Sequence, residues 1–210
     1  VAVLHHAHSA LLGAKTVPAE CIGLVLTGPS ILALKATIFK AELQISDMER
    51  GHYQTYNLTL ARHPSETDQR LLIRLLAFAL NADEDLSFTR GLSTDDEPEL
   101  WHKNLSNEIE LWIELGQLDE KRLRRACGLA KQVIVYLYAE RSASVWWSQQ
   151  QEMVQRFSNL QIVMLSVVGD SQLESLAQRN MSLHATIQDN QVWLSDDQQT
   201  VTIDIQNWFP

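Results

Sequence analysis

A single carboxylate interrupts an apolar, strand-like segment, LWIELG at residues 111 to 116. Successive side chains of a strand point to opposite faces, so Ile113 and Leu115 would share one face and Trp112 and Glu114 the other. Burial of an unpaired carboxylate costs several kcal/mol or forces its protonation. We therefore expect a cation beside Glu114.

Charged residues lie on both sides of this strand in the sequence. The segment STDDEPELW before it contains the acids Asp95, Asp96, Glu97 and Glu99. The segment DEKRLRRA after it contains the bases Lys121, Arg122, Arg124 and Arg125. Acids from two adjacent strands, with a base at the start of the next helix, can hold Mg²⁺ against phosphate oxygens and stabilise an in-line displacement. The pattern indicates a phosphodiester-cleaving site; the structural alternative is an ion pair between Glu114 and Arg122 or Arg124.

A hairpin and a helix are expected before these segments. ALKATIFKAELQIS and YQTYNLTLAR alternate apolar and polar residues on either side of a turn-rich segment, which predicts a hairpin with an exposed sheet edge. Pro64 and Ser65 suit a helix entry, and leucines follow at helical spacing through RLLIRLLAFAL. Glu66 would lie in the first turn of this helix, where the helix dipole favours a carboxylate.

The middle of the chain predicts the order helix, three strands, helix, strand. The three strands are expected at LSFTR, EPELWH and EIELWIELG, and the second helix at residues 119 to 131 with Leu123 and Ala126 on its buried stripe. QVIVYLYA is dense in apolar and β-branched residues, which predicts a strand covered on both faces. We then expect a helix at SASVWWSQQQEMVQRF, a strand at LQIVMLSVV, a short helix at DSQLESLAQR, and three strands near residues 182 to 188, 191 to 195 and 200 to 205, with a tight turn at QDNQ.

The composition restricts the classes of function. A formal net charge of -9 and a pI of about 5.2 oppose polyanion binding, so any contact with nucleic acid needs a local basic patch. Cys21 and Cys127 are too few for a disulfide framework and favour a reducing, cytoplasmic setting. The sequence contains no run of about 18 apolar residues, so we expect no membrane span.

Residues 1 to 32 differ from the remainder in being rich in Ala and Leu without a regular period. We expect them to be an extension, disordered or an over-extended start, outside a single domain at residues 33 to 210. His5, His6 and His8 could bind a metal, but clustered histidines without supporting partners are more often a solvated terminus.

Several long strings resemble the bacterial YaeQ family in matching order, from about residue 33 to the C-terminus. They are ALKATIFKAEL, LTLARHPSET, LLIRLLAFALNADE, FTRGLSTDDEPELW, LWIELGQLDEKRLRRAC and LHATIQDNQVWLSDD. The resemblance implies an α/β fold of the PD-(D/E)XK nuclease superfamily. Its core would be a central mixed β-sheet flanked by helices, with additional antiparallel strands.

The resemblance also implies a site for Mg²⁺ or Mn²⁺. Glu66 matches the helix glutamate of the superfamily, Glu99 the acid of the PD motif, and Glu114 the acid of the (D/E)XK motif. These three would bind the metal, and Arg122 or a neighbour would hold a phosphate. The sequence departs from the pattern at Gly116, which stands where the motif has lysine, and at Glu99, which stands where it has aspartate.

Two hypotheses follow for function. The first is a divalent-metal-dependent, nuclease-like protein that acts on phosphodiesters and has nucleic acid as its partner. The alternative is a nuclease-derived scaffold that lacks catalysis and binds a protein or a nucleic acid. Trp146 and Trp147 could stack on bases, but core packing is the favoured interpretation.

Overall fold

The computed structural model describes residues 36 to 90 and 96 to 210. Residues 1 to 32, predicted to be an extension, lie outside the described residues, as do the three histidines within them. The described part of the chain falls within one compact unit, Leu34–Pro210. It contains no helix that is both long and apolar enough to cross a membrane.

The described strands are β1 Thr37–Asp47, β2 His52–Arg62, β3 Leu86–Phe88, β4 Leu100–Lys103, β5 Ile109–Leu115, β6 Ala130–Leu137, β7 Leu160–Val167, β8 Asn180–Gln188, β9 Gln191–Ser195 and β10 Thr200–Phe209. The described α-helices are α1 Asp68–Leu80, α2 Glu120–Leu129 and α3 Glu140–Val154, and a 3₁₀ turn covers Leu173–Leu176. The order of α1, β3, β4, β5, α2 and β6 confirms the predicted succession of helix, three strands, helix and strand.

All ten described strands form one mixed sheet in the order β2-β1-β8-β9-β10-β7-β6-β5-β4-β3. The predicted hairpin is confirmed, because β1 and β2 pair antiparallel along their whole length and β2 lies at one end of the order. The predicted tight turn between β8 and β9 is also confirmed. Asp189 and Asn190 have φ angles of 51° and 58°, the left-handed values that a two-residue hairpin turn requires.

The sheet is large and nearly closed, which corrects the expectation of a central sheet flanked by helices. Every strand contributes to one apolar core around α1, so the helix lies inside the curled sheet. Phe78 of α1 packs edge-on against Tyr56 of β2 and stacks on Phe88 of β3, with ring centroids 5.1 and 5.4 Å apart. Helix α1 thus bridges the two end strands of the sheet.

Helices α2 and α3 cover the other face of the sheet at β5, β6 and β7. Val133 and Val135 of β6 pack into this second core, whereas Ile134 and Tyr136 pack into the core around α1. This alternation confirms the prediction that the strand is covered on both faces. The same alternation in β5 directs Ile113 toward α1 and leaves the following acid facing α2.

Helix α1 begins later than predicted. Thr67 is its N-cap, and its side chain accepts a hydrogen bond from the backbone N–H of Arg70. Ser65, the expected cap, instead bonds the ring of His63, and Glu66 precedes the helix rather than lying in its first turn. Either hydroxyl could cap a helix, so the local sequence alone does not decide between Ser65 and Thr67.

Candidate functional site

Glu114 of β5 is buried and has two strong donors. Its Oε1 accepts hydrogen bonds from Trp112 Nε1 at 2.8 Å and from Arg122 Nε at 2.7 Å. The cation expected beside this carboxylate is therefore present as an ion pair with Arg122, the structural alternative drawn from the sequence. The pKa of Glu114 is raised above its ordinary value. The loss of water on burial raises it by more than the contacts with Arg122 and Trp112 lower it.

Arg122 joins three segments at the start of α2. Its backbone N–H donates to the N-cap Asp119 at 2.7 Å, which fixes the first turn of the helix. Its Nη2 donates to the backbone carbonyl of Glu97 at 2.6 Å, in the segment before β4. The guanidinium predicted to hold a phosphate thus already links β5, α2 and the chain before β4.

Glu99 lies immediately before β4 and opposite Glu114. Its backbone N–H donates to Ile113 O at 3.0 Å, which aligns the two acidic positions across adjacent strands. Its carboxylate is held by α1: Arg70 Nη2 donates to Oε1 at 2.6 Å, and Arg74 Nη1 lies 3.7 Å from Oε2. The acid predicted from the PD motif is therefore buried and paired with arginines from a different element.

Glu66 reaches the same two arginines from the segment before α1. Its Oε1 lies 3.2 Å from Arg74 Nε and 3.7 Å from Arg70 Nη1, and its Oε2 accepts a long hydrogen bond from the backbone of His63. Burial raises the pKa of Glu66, the two arginines lower it, and the negative charge of Glu99 raises it further. Glu99 also raises the pKa of Glu114, so it is electrostatically coupled to both other acids.

Arg70 and Arg74 were not among the residues expected at the site, although the sequence contains a signal for them. Glu66, Arg70 and Arg74 are spaced by four residues, a spacing that places side chains on one face of a helix. Two arginines in an otherwise apolar helix could have been read as partners for buried acids. Together with Arg122 they bring three positive charges to three buried carboxylates.

The pairing is incomplete at the level of single atoms. Glu66 Oε1 and Glu99 Oε2 are buried and have no hydrogen bond within the part of the chain that the structure describes. Arg70 Nη1 and Arg74 Nε are also unsatisfied, because they lie at ion-pairing distance without hydrogen-bond alignment. Two orphaned carboxylate oxygens are ligand atoms of the type that Mg²⁺ and Mn²⁺ prefer.

The three predicted ligands fit a divalent cation in type, but Arg70 and Arg74 compete for the same oxygens. Across residues 36 to 90 and 96 to 210, only Asp83, Asp85 and His102 bring three ligand atoms within 4.8 Å of one another, and both aspartates are exposed. The glutamates do not reach that spacing. A metal bound by them would have to displace an arginine from at least one carboxylate.

The backbone conformation at residue 116 accounts for glycine at the position where the resemblance implied a lysine. Its φ of +85° is a left-handed conformation that a lysine would adopt only with strain. A Cβ there would make only an ordinary van der Waals contact, 3.8 Å from the ring of Tyr138, so the backbone conformation is the constraint. The end of β5 therefore turns in a way that favours glycine.

The other residues singled out from the sequence have structural contacts. Asp96 pairs with Arg125, both of them exposed, and Asp95 lies outside the described residues. Trp146 donates to the backbone carbonyl of Leu118 at 2.8 Å, and Trp147 packs against the core beneath α2 and α3. The interpretation of the tryptophan pair as core packing is confirmed.

Comparison with known proteins identifies the family. The family model described as YaeQ protein matches residues 32 to 205. The YaeQ protein of Escherichia coli strain K12 is 46% identical over 177 residues, covering 84% of this chain and 98% of that protein. The YaeQ protein of Salmonella typhi is 47% identical over the same length and coverage.

Two solved structures share the fold. The YaeQ protein from Xanthomonas axonopodis pv. citri superposes with a TM-score of 0.77 at 46% identity, covering 82% of this chain and 98% of that one. The YaeQ protein from Pseudomonas syringae gives the same TM-score at 33% identity, covering 83% of this chain and 97% of that one. On sequence and structure together, the chain belongs to the YaeQ family.

Proposed function

We propose that this member of the YaeQ family is a divalent-metal-dependent, nuclease-like protein whose metal is held by Glu66, Glu99 and Glu114. One observation carries the proposal: Glu66 Oε1 and Glu99 Oε2 are buried carboxylate oxygens with no hydrogen bond in the described residues. Each oxygen has an arginine nitrogen at ion-pair distance but no aligned hydrogen bond, and buried polar atoms in that state require an explanation such as an ion or a water. A divalent cation satisfies carboxylate oxygens of this kind.

The protein groups would orient the site around the ion. Arg122 fixes Glu114 toward α2, and Trp112 holds the same oxygen from the strand. Arg70 contacts Glu66 and Glu99, so it neutralises the acids when no metal is bound. A bound Mg²⁺ or Mn²⁺ would supply an activated water and charge stabilisation for phosphodiester hydrolysis.

A cleavage assay tests this function. Single- and double-stranded DNA and RNA are incubated with the full chain and Mn²⁺, with Glu114→Gln and the exposed-site control Glu120→Gln in parallel. We expect wild type and the control to cleave one of these substrates, and the rate with Glu114→Gln to fall by about a hundredfold or more. Cleavage at the wild-type rate by Glu114→Gln would refute the assignment.

A second candidate function is that of a nuclease-derived scaffold, which has no catalytic activity and binds a protein or a nucleic acid. The observation that favours it is the pairing of all three acids with arginines, combined with Gly116 at the lysine position. It predicts that a folded triple Glu→Gln variant retains partner binding. Loss of that binding, with circular dichroism unchanged, would count against it.

A further inference from the structure

A basic pocket opens beside the buried acids at the start of α2. Its lining residues are Asp119, Lys121, Arg122 and Arg125, and its volume is about 270 Å³. Of the four lining residues that belong to the described part of the chain, three are cationic, in a protein whose formal net charge is -9. A pocket with this composition suits an anion that the molecule as a whole would repel.

Arg122, which with its neighbours was expected to hold a phosphate, is one of the residues that line this pocket. Its guanidinium contacts Glu114 through Nε and the carbonyl of Glu97 through Nη2. These contacts hold Arg122 in place, and its charge is already balanced by the buried carboxylate. The excess positive charge of the pocket must therefore come from the other two bases.

Lys121 and Arg125 supply that excess charge. Lys121 is exposed and has no ion-pair partner among residues 36 to 90 and 96 to 210. Arg125 pairs with Asp96, but both side chains are substantially exposed, at 44% and 76%. An exposed ion pair of this kind contributes little and exchanges readily for a more highly charged partner.

The backbone of α2 is not the anion-binding element. Asp119 caps the helix and accepts the N–H of Arg122, so this amide is not available to a ligand. The N-cap carboxylate also opposes an anion at the helix end. The binding capacity of the pocket thus resides in the side chains at positions 121 and 125.

We propose that Lys121 and Arg125 bind a phosphate group of a nucleic-acid strand whose neighbouring phosphodiester lies at the Glu114 side of Arg122. This inference rests on the proposed function, since it gives the substrate of that site a second point of attachment. Arg122 belongs to both regions, since its guanidinium donates to Glu114 and its side chain lines the pocket. Phosphate contacts of this kind fix the register of a strand without reading its sequence.

The test is a fluorescence anisotropy titration of a labelled single-stranded DNA 12-mer with the full chain at low salt in EDTA. The variant is Lys121→Ala/Arg125→Ala. The charge-matched control is Arg124→Ala/Arg156→Ala, which removes two bases that both contact Glu120 outside the pocket. All four side chains are exposed, and circular dichroism confirms that each variant is folded.

We expect the pocket variant to bind at least about tenfold more weakly than wild type and the control to remain within about threefold of wild type. The slope of log affinity against log salt should fall by about 0.7 in the pocket variant, the value for one neutralised phosphate on a single strand. Equal losses in both double variants would show a general charge effect and overturn the proposal. An absence of wild-type binding at low salt would overturn it as well.

Comparison of 5′-phosphorylated and unphosphorylated 12-mers identifies the source of the phosphate. A preference for the phosphorylated strand that disappears in the pocket variant supports a terminal phosphate, and equal loss with both strands supports an internal one. Because EDTA removes divalent ions, this result does not depend on the metal site. Failure of the Glu114→Gln cleavage test would leave the phosphate pocket standing, and the reverse also holds.

Discussion

Glu66, Arg70 and Arg74 recur at intervals of four residues, and the two arginines contact both Glu66 and Glu99. Buried charges of this kind cost solvation energy that only close partners offset. Each arginine therefore matters more for the charge it compensates than for any single hydrogen bond. Arg74, at 3% exposure, is the most deeply buried base in the group.

Replacement of Arg74 by alanine should strongly destabilise the fold. Glu66 and Glu99 would each lose a cationic neighbour, and breaking a buried ion pair by removing one partner costs about 3–5 kcal/mol. Urea unfolding followed by circular dichroism measures this change. Arg124→Ala, which removes an exposed base paired with Glu120, should cost at most about 1 kcal/mol. Similar losses in the two variants would contradict the buried network.

The raised pKa of Glu114 should make the free energy of unfolding depend on pH, with a direction that can be worked out. Burial raises its pKa in the folded protein above the ordinary 4.5, so its contribution is complete below that pH and is lost as the pH rises through the folded-state value. Glutamine does not titrate. The free energy of unfolding of Glu114→Gln in EDTA should therefore increase relative to wild type between about pH 4 and pH 7. A difference that stays constant across this range would show that the folded-state pKa is not raised.

At the scale of elements, the exact start of α1 determines where Glu66 can reach. A helix beginning at Ser65 would place Glu66 in its first turn, whereas the observed cap at Thr67 leaves it in the preceding segment, near the backbone of His63. From this position before the helix, the carboxylate contacts Arg70 and Arg74 in the first two turns. The position of the capping residue therefore determines whether Glu66 lies in the helix or in the segment before it.

Alanine at Thr67 should cost about 1 kcal/mol, since the helix loses its side-chain cap. Alanine at Ser65, the cap expected from sequence, should change the free energy of unfolding by less than about 0.5 kcal/mol because this exposed hydroxyl bonds only the half-buried ring of His63. Thermal or urea unfolding of the two variants measures both values. A larger cost at Ser65 than at Thr67 would place the helix start where the sequence first suggested.

At the scale of the whole molecule, periodicity predicted the elements better than their arrangement. Local sequence was sufficient to predict β1, β2 and β6 as strands. The first two alternate apolar and polar residues, and β6 is a dense apolar run. The strand order depends on contacts between distant segments, such as the parallel pairing of β1 with β8, which no local pattern encodes. The curled sheet around α1 was therefore not predicted.

The residues of the candidate site divide in the same way, into those that the sequence predicted and those that only the fold brings together. Glu66, Glu99 and Glu114 were selected from the sequence, and the structure buries all three. The opposing arginines were missed because burial of Arg70 and Arg74 depends on the sheet curling around α1. The pairing of Arg122 with Glu114 was anticipated as an alternative, since strand and helix are adjacent in sequence.

Calorimetric titration of the full chain with Mn²⁺ would reveal whether three acids from separate elements share one metal site. Glu99→Gln is the informative variant, because Glu99 is coupled to both other acids, and the exposed Glu120→Gln is its control. We predict that wild type and Glu120→Gln bind Mn²⁺ and that Glu99→Gln binds at least about tenfold more weakly. Equal binding by Glu99→Gln, or no binding by wild type at millimolar Mn²⁺, would contradict the account.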